Sequence, residues 1–600
     1  MSATATVHAR PFCLYRRDGV TRLATGEIHR VELLEDLPRP TGLPVISMVP
    51  YAQLKERGFV LHDGGEPVIA LVADECREVD LDELMDSAEP DFTVGDVVFD
   101  VSDEEFTDII RRVVEDEICR GEGSNFLISR RGRVHIEGFN ADVARAVFRR
   151  LVRNELGAYL TFCFFDGEKY FIGSSPERHI SFTGDTVVMN PICGTLPKTA
   201  LHSRSDLIEF LTDPKEINEL FQVVDEELKM MARICSEGGV VKGPYLKEMG
   251  SLVHTEYFLE GHSRMDKIDA FRDSMFAATM IGSPLENAAR IIHKYERESR
   301  RYYSSAIMVH GLDQTGAEYL DSAITIRTME VSATGDAILQ SGCSVVRDSS
   351  PEKETKEVQA KIAGLLRALH STESTQPVLD RYVDDHVERI LQSRNTYLSR
   401  FWTDDQQGSV LTEAPARKSV LIVDNEDEFT HMLGHVLKYL GLEVTVRDYD
   451  DPGLDLSAAD LVLIGPGPGD PRDDTDPKMR RVRELVGELL ESRATFIAVC
   501  LGHQIVSQHL GMEVVRVDPP LQGVQQQVDL FGQHEPVGFY NTFFVERPEI
   551  APAGVEIAGT PDGRIVAMRS ENFCTFQFHV ESLLTSNCVS ILRRALEWLR

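Results

Sequence analysis

The sequence predicts two units of different fold class on one chain. Residues 1–370 read as an α+β unit, residues 418–600 as an α/β unit with a doubly wound parallel sheet, and residues 371–417 as a linker. Three observations carry this. Before residue 370, strand-like apolar runs and amphipathic helical stretches follow one another without regular βαβ spacing. After Lys418, buried-strand and helix patterns alternate, as they do when parallel strands are joined by covering helices. Between the two, HSTESTQPVLDRY and WTDDQQGSVLTEAPARK are polar and carry prolines.

In chain order, Val68–Val72 is a short apolar run that reads as a buried strand. His179–Val188 reads as a hairpin, with Gly184-Asp185 as its turn. Ile217–Cys235 and Ser350–Leu369 have helical periodicity, and Val387–Phe401 is a helical piece inside the linker. In the second unit, strands are expected at Ser419–Val423, Leu442–Val446, Asp460–Ile464 and Thr495–Val499. Helices are expected at Glu428–Tyr439 and near Lys478–Leu490.

Composition excludes several function classes. With 600 residues, 42% hydrophobic and 27% charged, the chain is long enough for several packed domains. The net charge of −34 is spread along the chain, which disfavours nucleic acid or an anionic membrane as partner. No run is long and apolar enough to span a bilayer, and MSATATVHARPF lacks the pattern of a signal peptide, so a cytoplasmic location is expected. The ten cysteines are scattered singly, which suggests neither a zinc site nor a disulfide framework.

One of these cysteines stands out. Thr495-Phe-Ile-Ala-Val-Cys500-Leu-Gly-His-Gln504 is an apolar strand that runs into a thiol at a helix start, where the helix dipole is expected to lower its pKa. A buried core cysteine would fit this fragment equally well. Gln577-Phe-His579-Val-Glu581 decides between them, because a His and an acid two apart on an extended segment share a face. Gly465-Pro-Gly-Pro-Gly-Asp-Pro471 follows another strand, and its glycines permit close backbone approach to a ligand.

These three pieces, in this order, resemble the class I glutamine amidotransferases over residues 418–600. The resemblance implies that Cys500 attacks the glutamine amide, His579 shuttles the proton and Glu581 holds His579. It implies an oxyanion hole from the N–H groups of Gly467 and Leu501, with Gln504 helping to bind glutamine. Val580 and Ala498 stand where the family usually has Pro and Gly; neither change removes a catalytic atom.

Ammonia released into water at neutral pH becomes ammonium, so such a unit needs a shielded acceptor site nearby. In the first unit, Asp213-Pro-Lys-Glu216-Ile-Asn-Glu219 and Ser350-Pro-Glu-Lys-Glu354-Thr-Lys-Glu357 each place two carboxylates at i and i+3 on one helix face. Taken singly, each is also what a solvated first helical turn looks like. Together they would suit Mg²⁺, which favours oxygen ligands and a bridging anionic substrate.

Ser175-Pro-Glu177-Arg178, Asn190-Pro-Ile-Cys-Gly194-Thr195, the two acidic segments and Ile324-Thr-Ile-Arg327-Thr resemble the chorismate-utilising enzymes over residues 100–370, the anthranilate synthase component I-like fold. The resemblance implies Mg²⁺ as cofactor, with Glu219 and Glu357 as direct ligands and Glu216 and Glu354 acting mostly through water. It implies that Gly194, Thr195, Tyr303, Arg327 and Gly342 contact chorismate, and that Glu177 is the general acid for the departing C4 hydroxyl. Asn125 stands where water-adding members carry a lysine base, and is expected to orient ammonia. Ser304, Ser305 and Ser344 stand where glycines are usual. Ser251 stands where anthranilate synthases carry a His needed to expel pyruvate, while His254, three residues on, is expected to face elsewhere.

The layout resembles the fused 2-amino-2-deoxyisochorismate synthases of phenazine pathways. The expected reaction joins glutamine and chorismate and stops before pyruvate leaves; a fused anthranilate synthase and a non-catalytic metabolite sensor are the alternatives. A homodimer is implied by the same resemblance.

Overall fold

The computed structural model describes residues 10–81, 90–370, 376–404 and 419–599. The chain forms two compact units, and neither is contiguous in sequence. One comprises residues 1–117, 125–223 and 243–392; the other comprises 118–124, 224–242 and 393–600. The boundary therefore falls inside the helix Pro214–Ile234, whose two halves belong to different units. Among the described residues, no helix is long and apolar enough to cross a membrane.

The first unit is built on a 19-stranded sheet. The neighbours Phe12–Arg17, Val20–Val31 and Leu160–Phe165 run antiparallel, as do Asn125–Glu137 and Asp336–Val346. This is the non-βαβ arrangement that the sequence texture implies. The strand that begins at Val68 runs on to Glu78, and the hairpin forms between Arg178–Thr183 and Thr186–Met189. Gly184 sits in its turn at φ 62°, where a side chain would be strained.

Two helices matter most for function. Pro214–Ile234 and Pro351–His370 both begin with proline, whose fixed φ and missing N–H suit the first helical position. Asp213 Oδ1 accepts the Lys215 N–H at 2.8 Å and so satisfies an orphan donor of the first turn. The apolar face of Pro351–His370 packs Ile362, Leu365 and Leu369 into a core shared with helix Ala141–Asn154 and the sheet.

The second unit has a nine-stranded sheet. Glu443–Asp448, Ser419–Asp424, Leu461–Ile464, Phe496–Val499 and Phe573–Phe576 lie side by side and parallel. Helices Phe429–Tyr439 and Pro477–Ser492 lie between strands in sequence, as the alternating pattern requires. Long antiparallel strands, Val514–Leu530 and Gln533–Glu546, extend the sheet on one side. The helical piece expected at Val387–Phe401 is divided among Asp385–Ser393, a 3-10 turn at Arg394–Tyr397 and Arg400–Thr403. The break falls where the Ser399 N–H leaves helical bonding to donate to the Leu583 carbonyl at 2.8 Å.

Candidate active sites

Three adjacent parallel strands of the second unit deliver the amidotransferase residues from their carboxyl ends, where such sheets present catalytic groups. Leu461–Ile464 leads into the loop with Gly467, Phe496–Val499 into Cys500, and Phe573–Phe576 into His579 and Glu581. Cys500 takes φ 51° and ψ −102°, a strained conformation at a tight strand-to-helix turn, and helix Leu501–His509 starts directly after it. His579 Nδ1 donates to Glu581 Oε1 at 2.8 Å, which fixes the tautomer and leaves Nε2 able to accept a proton. The remaining Glu581 oxygen is buried with no hydrogen-bond partner among the described residues.

Gly467 must be glycine for space. A Cβ there would lie 2.5 Å from the Asn425 carbonyl oxygen and 3.0 Å from the Leu501 side chain. The loop is thus brought against Leu501, the residue after the thiol. The Gln504 amide is engaged, donating to the Phe543 carbonyl at 2.9 Å and to Gln577 Oε1 at 3.3 Å.

The electrostatics correct one expectation. Burial, with the carboxyls of Asp427 and Glu581 beside it, pushes the Cys500 thiol up; only the Leu501 N–H pulls it down. Desolvation outweighs the single N–H and helix-terminus contribution. Burial also lowers His579 to about 4. At rest, the thiol and the imidazole are therefore both neutral.

In the first unit a cavity gathers Glu177, Gly194, Thr195, Glu216, Glu219, Tyr303, Arg327, Gly342, Glu354 and Glu357 into one lining. Burial raises Glu177 to about 8; its Oε1 accepts from the Thr279 hydroxyl at 2.8 Å and the Ile192 N–H at 3.4 Å. Glu177 is thus an acid that keeps its proton at neutral pH. Gly194, at φ 77°, brings the chain against the acidic helix, and the Thr195 N–H donates to Glu216 Oε2 at 3.1 Å.

The two carboxylate pairs meet in this cavity with two ammonium groups among them. Lys215 Nζ lies 3.2 Å from Glu216 and 3.1 Å from Glu219, and Lys361 Nζ lies 2.7 Å from Glu357 and donates to the Gly342 carbonyl. Burial and the neighbouring Glu357 raise Glu354 to about 7, and burial also raises Glu216. Four helix carboxyls line the cavity against Lys215, Lys361 and Arg327, so with Glu177 protonated and these groups ionised its formal charge is −1. Among the described residues no group of three or more His, Cys, Asp or Glu is arranged to hold a metal ion. The helix carboxylates are instead an open set of hard oxygens with a negative formal charge, which fits Mg²⁺, an ion that keeps several waters and binds through a few carboxylates plus an anionic substrate.

Asn125 is not part of this lining. It begins strand Asn125–Glu137 opposite Ser283 and Val346, and both polar atoms of its amide are buried without a partner among the described residues. Ser304 and Ser305 are also outside the lining, and their hydroxyls bond to the carbonyls of Met280 and Val49. Ser344 does line the cavity. The expectation for His254 is overturned: it lines the cavity and Ser251 does not. His254 Nδ1 donates to the Gly194 carbonyl at 2.8 Å and Nε2 lies 3.2 Å from Arg327. Alternation does put positions 251 and 254 on opposite faces; what the structure reverses is which of the two faces the cavity.

Lys215, Lys361, Cys193 and Thr279 were not among the residues expected at the site. Lys361 carried a readable signal, four residues after Glu357 on a helix. Thr279 carried none, since it reaches Glu177 across 102 residues of sequence.

Comparison with known proteins finds two families along the chain. The family model for chorismate binding enzymes matches residues 32–367, and that for class-I glutamine amidotransferases matches residues 421–598. The phenazine-specific anthranilate synthases of Pseudomonas fluorescens and Pseudomonas chlororaphis are each 41% identical, over 98% of this chain and 95% of their own. The anthranilate synthase of Azospirillum brasilense is 28% identical over 74% of this chain and 58% of its own. A solved 2,3-dihydroxybenzoate-specific isochorismate synthase structure from Bacillus anthracis, 20% identical, aligns with a TM-score of 0.50 over 60% of this chain and 96% of that one, a likeness of fold. The chain belongs to the chorismate-binding enzyme family, in the form that carries a class-I glutamine amidotransferase domain on the same polypeptide.

Proposed function

We propose that this enzyme uses glutamine to aminate chorismate at C2, giving glutamate and 2-amino-2-deoxyisochorismate, an early step of phenazine biosynthesis. The observation that carries this reading is Glu177, a buried carboxyl raised to about 8 in a cavity that also holds two carboxylate pairs.

In the amidotransferase unit, Cys500 attacks the glutamine amide carbonyl as His579 Nε2 takes the thiol proton. Glu581, bound to Nδ1, supports the imidazolium that forms. The N–H groups of Gly467 and Leu501 face the developing oxyanion. His579 returns the proton to the departing nitrogen, ammonia leaves, and water hydrolyses the thioester to glutamate. Gln504 acts on glutamine indirectly, by holding Gln577, whose amide lies 3.9 Å from the Cys500 sulfur.

In the first unit, Glu219 and Glu357 would hold Mg²⁺ directly, with Glu216 and Glu354 through water. Bound there, the ion would withdraw charge from the ring through its carboxylate. Arg327, Tyr303 and Thr195 bind the anionic groups of chorismate, with backbone contacts from Gly194 and Gly342. Glu177 delivers its proton to the C4 hydroxyl as that group departs, and ammonia forms the new bond at C2.

The reaction stops before pyruvate leaves. An imidazole is present, but burial and Arg327 lower His254 to about 3, and both ring nitrogens are engaged. A ring so held is a poor base for the proton at C2. The relatives' name favours anthranilate as product. Mass spectrometry of the product from chorismate, glutamine and Mg²⁺ decides: anthranilate with stoichiometric pyruvate refutes the 2-amino-2-deoxyisochorismate reading. A homodimer is the expected assembly, to be checked by light scattering of the full chain.

A further inference from the structure

The segment 224–242 lies within the span matched by the chorismate-binding family, yet it packs as part of the amidotransferase unit. Its most consequential residue is Asp225, which is fully buried. Its carboxylate receives three hydrogen bonds. Oδ2 accepts from the Ser582 hydroxyl and from the Tyr540 hydroxyl at 2.7 Å, and Oδ1 accepts from the Leu583 N–H at 3.0 Å. Ser582 and Leu583 are the two residues directly after Glu581.

Glu581 itself is weakly anchored. Its side chain has one bonded partner, His579, and its other oxygen has none among the described residues. What holds it is backbone: Trp402 Nε1 donates to its carbonyl at 2.7 Å, and Asp225 grips the next two residues. The same carboxylate holds Tyr540, whose ring stands edge-on to His579 with centroids 5.5 Å apart. One turn further along the helix, the buried Lys229 ammonium lies 4.3 Å from the Phe429 ring, which packs 4.4 Å from His579 on centroids.

We propose that Asp225 is a positioning residue of the glutamine-hydrolysing centre: by holding Ser582, Leu583 and Tyr540 it sets Glu581, and through Glu581 the imidazole of His579. Ammonia release thus depends on a residue from the chorismate-binding stretch of the sequence, six positions after Glu219 on the same helix. This rests on the reading of Cys500, His579 and Glu581 as the triad.

The test uses the full-length enzyme and compares glutamine-driven with ammonium-driven turnover in Asp225→Ala, Asp225→Asn and Cys500→Ala. In Asp225→Ala, glutamine-driven kcat should fall by at least about 30-fold, short of the ~10⁴ that follows when an orienting carboxylate is disabled. The KM for glutamine should stay within about threefold, because an orientation defect acts on the transition state. Ammonium-driven turnover should stay within about twofold, since Asp225 has no part in chorismate binding. Asp225→Asn should recover most of the loss, because its oxygen still accepts from Leu583 and its amide can donate to the two hydroxyls.

Wild-type glutamine-driven kcat in Asp225→Ala overturns the proposal, as does a loss expressed only in KM. If Asp225→Ala loses both activities together, Ser582→Ala and Tyr540→Phe decide, since each removes one donor to the carboxylate. Unchanged glutamine-driven kcat in both also overturns it. Glutamine-driven turnover surviving in Cys500→Ala would instead refute the triad reading, independently of Asp225.

Discussion

Replacing Glu177 by glutamine tests the chemistry of the acceptor site most directly. Burial raises this carboxyl to about 8. At pH 7 it is then ~90% protonated, against ~0.3% for an ordinary carboxyl near 4.5, so the fold raises the acid form about 300-fold. Glutamine has the same shape and still accepts from Thr279 and Ile192 through its carbonyl oxygen. It cannot give a proton to a departing hydroxide. Loss of a general acid costs about 10²–10⁴ in kcat, or roughly 3–5 kcal/mol of transition-state stabilisation. The KM for chorismate should change by less than about threefold, since no binding group is lost. The assay is disappearance of chorismate and appearance of aminated product by chromatography, at saturating glutamine. The pH profile gives an independent check. The acid must be protonated, so wild-type kcat/KM for chorismate should fall as pH rises through about 8, and this limb should be absent from Glu177→Gln. A variant with kcat within about threefold of wild type, or one that keeps the limb, refutes the assignment.

Other outcomes follow from the same geometry. Cys500→Ala should abolish glutamine-driven turnover while leaving turnover with concentrated ammonium salt; loss of both in a folded variant would refute the division of labour. Gly467→Ala forces a Cβ to within 2.5 Å of the Asn425 carbonyl, so the loop must shift. Glutamine-driven kcat should drop by about 10²–10³, the usual loss with one oxyanion donor, and ammonium-driven turnover should be spared. Arg327→Lys loses the contact to His254 and the planar fork that matches a carboxylate, so the KM for chorismate should rise about tenfold or more, read from initial rates. Because burial lowers His579 to about 4 and the base must be neutral, kcat/KM for glutamine should keep its acid limb near pH 4 rather than near 6.5.

Much of both centres was legible in the sequence because the decisive groups lie at fixed offsets within single elements. Cys500 after a buried strand, His579 and Glu581 two apart, and carboxylates at i and i+3 are local patterns whose geometry follows from strand or helix period. His254 shows the limit. Alternation puts positions 251 and 254 on opposite faces, but only the packing of strand Leu252–His262 decides which face meets the cavity. The thiol of Cys500 shows another. The helix start is visible in sequence, but the desolvation that outweighs it depends on the packing around the site.

The sequence by itself determined the two fold classes, a thiol directly after a buried strand, a His and an acid two apart, and the two acidic helix starts. These are consequences of hydrophobic period, proline placement and short-range spacing, which need no knowledge of what packs against them. Only the tertiary structure decided that Lys215 and Lys361 sit among the four helix carboxylates, that Thr279 bonds to Glu177, and that Asp225 bonds to Ser582 and Leu583. Each of these depends on residues brought together by packing or on the burial that packing imposes. Desolvation and long-range hydrogen bonds are properties of the folded environment, and they set which carboxyl keeps its proton and which holds a neighbour in place.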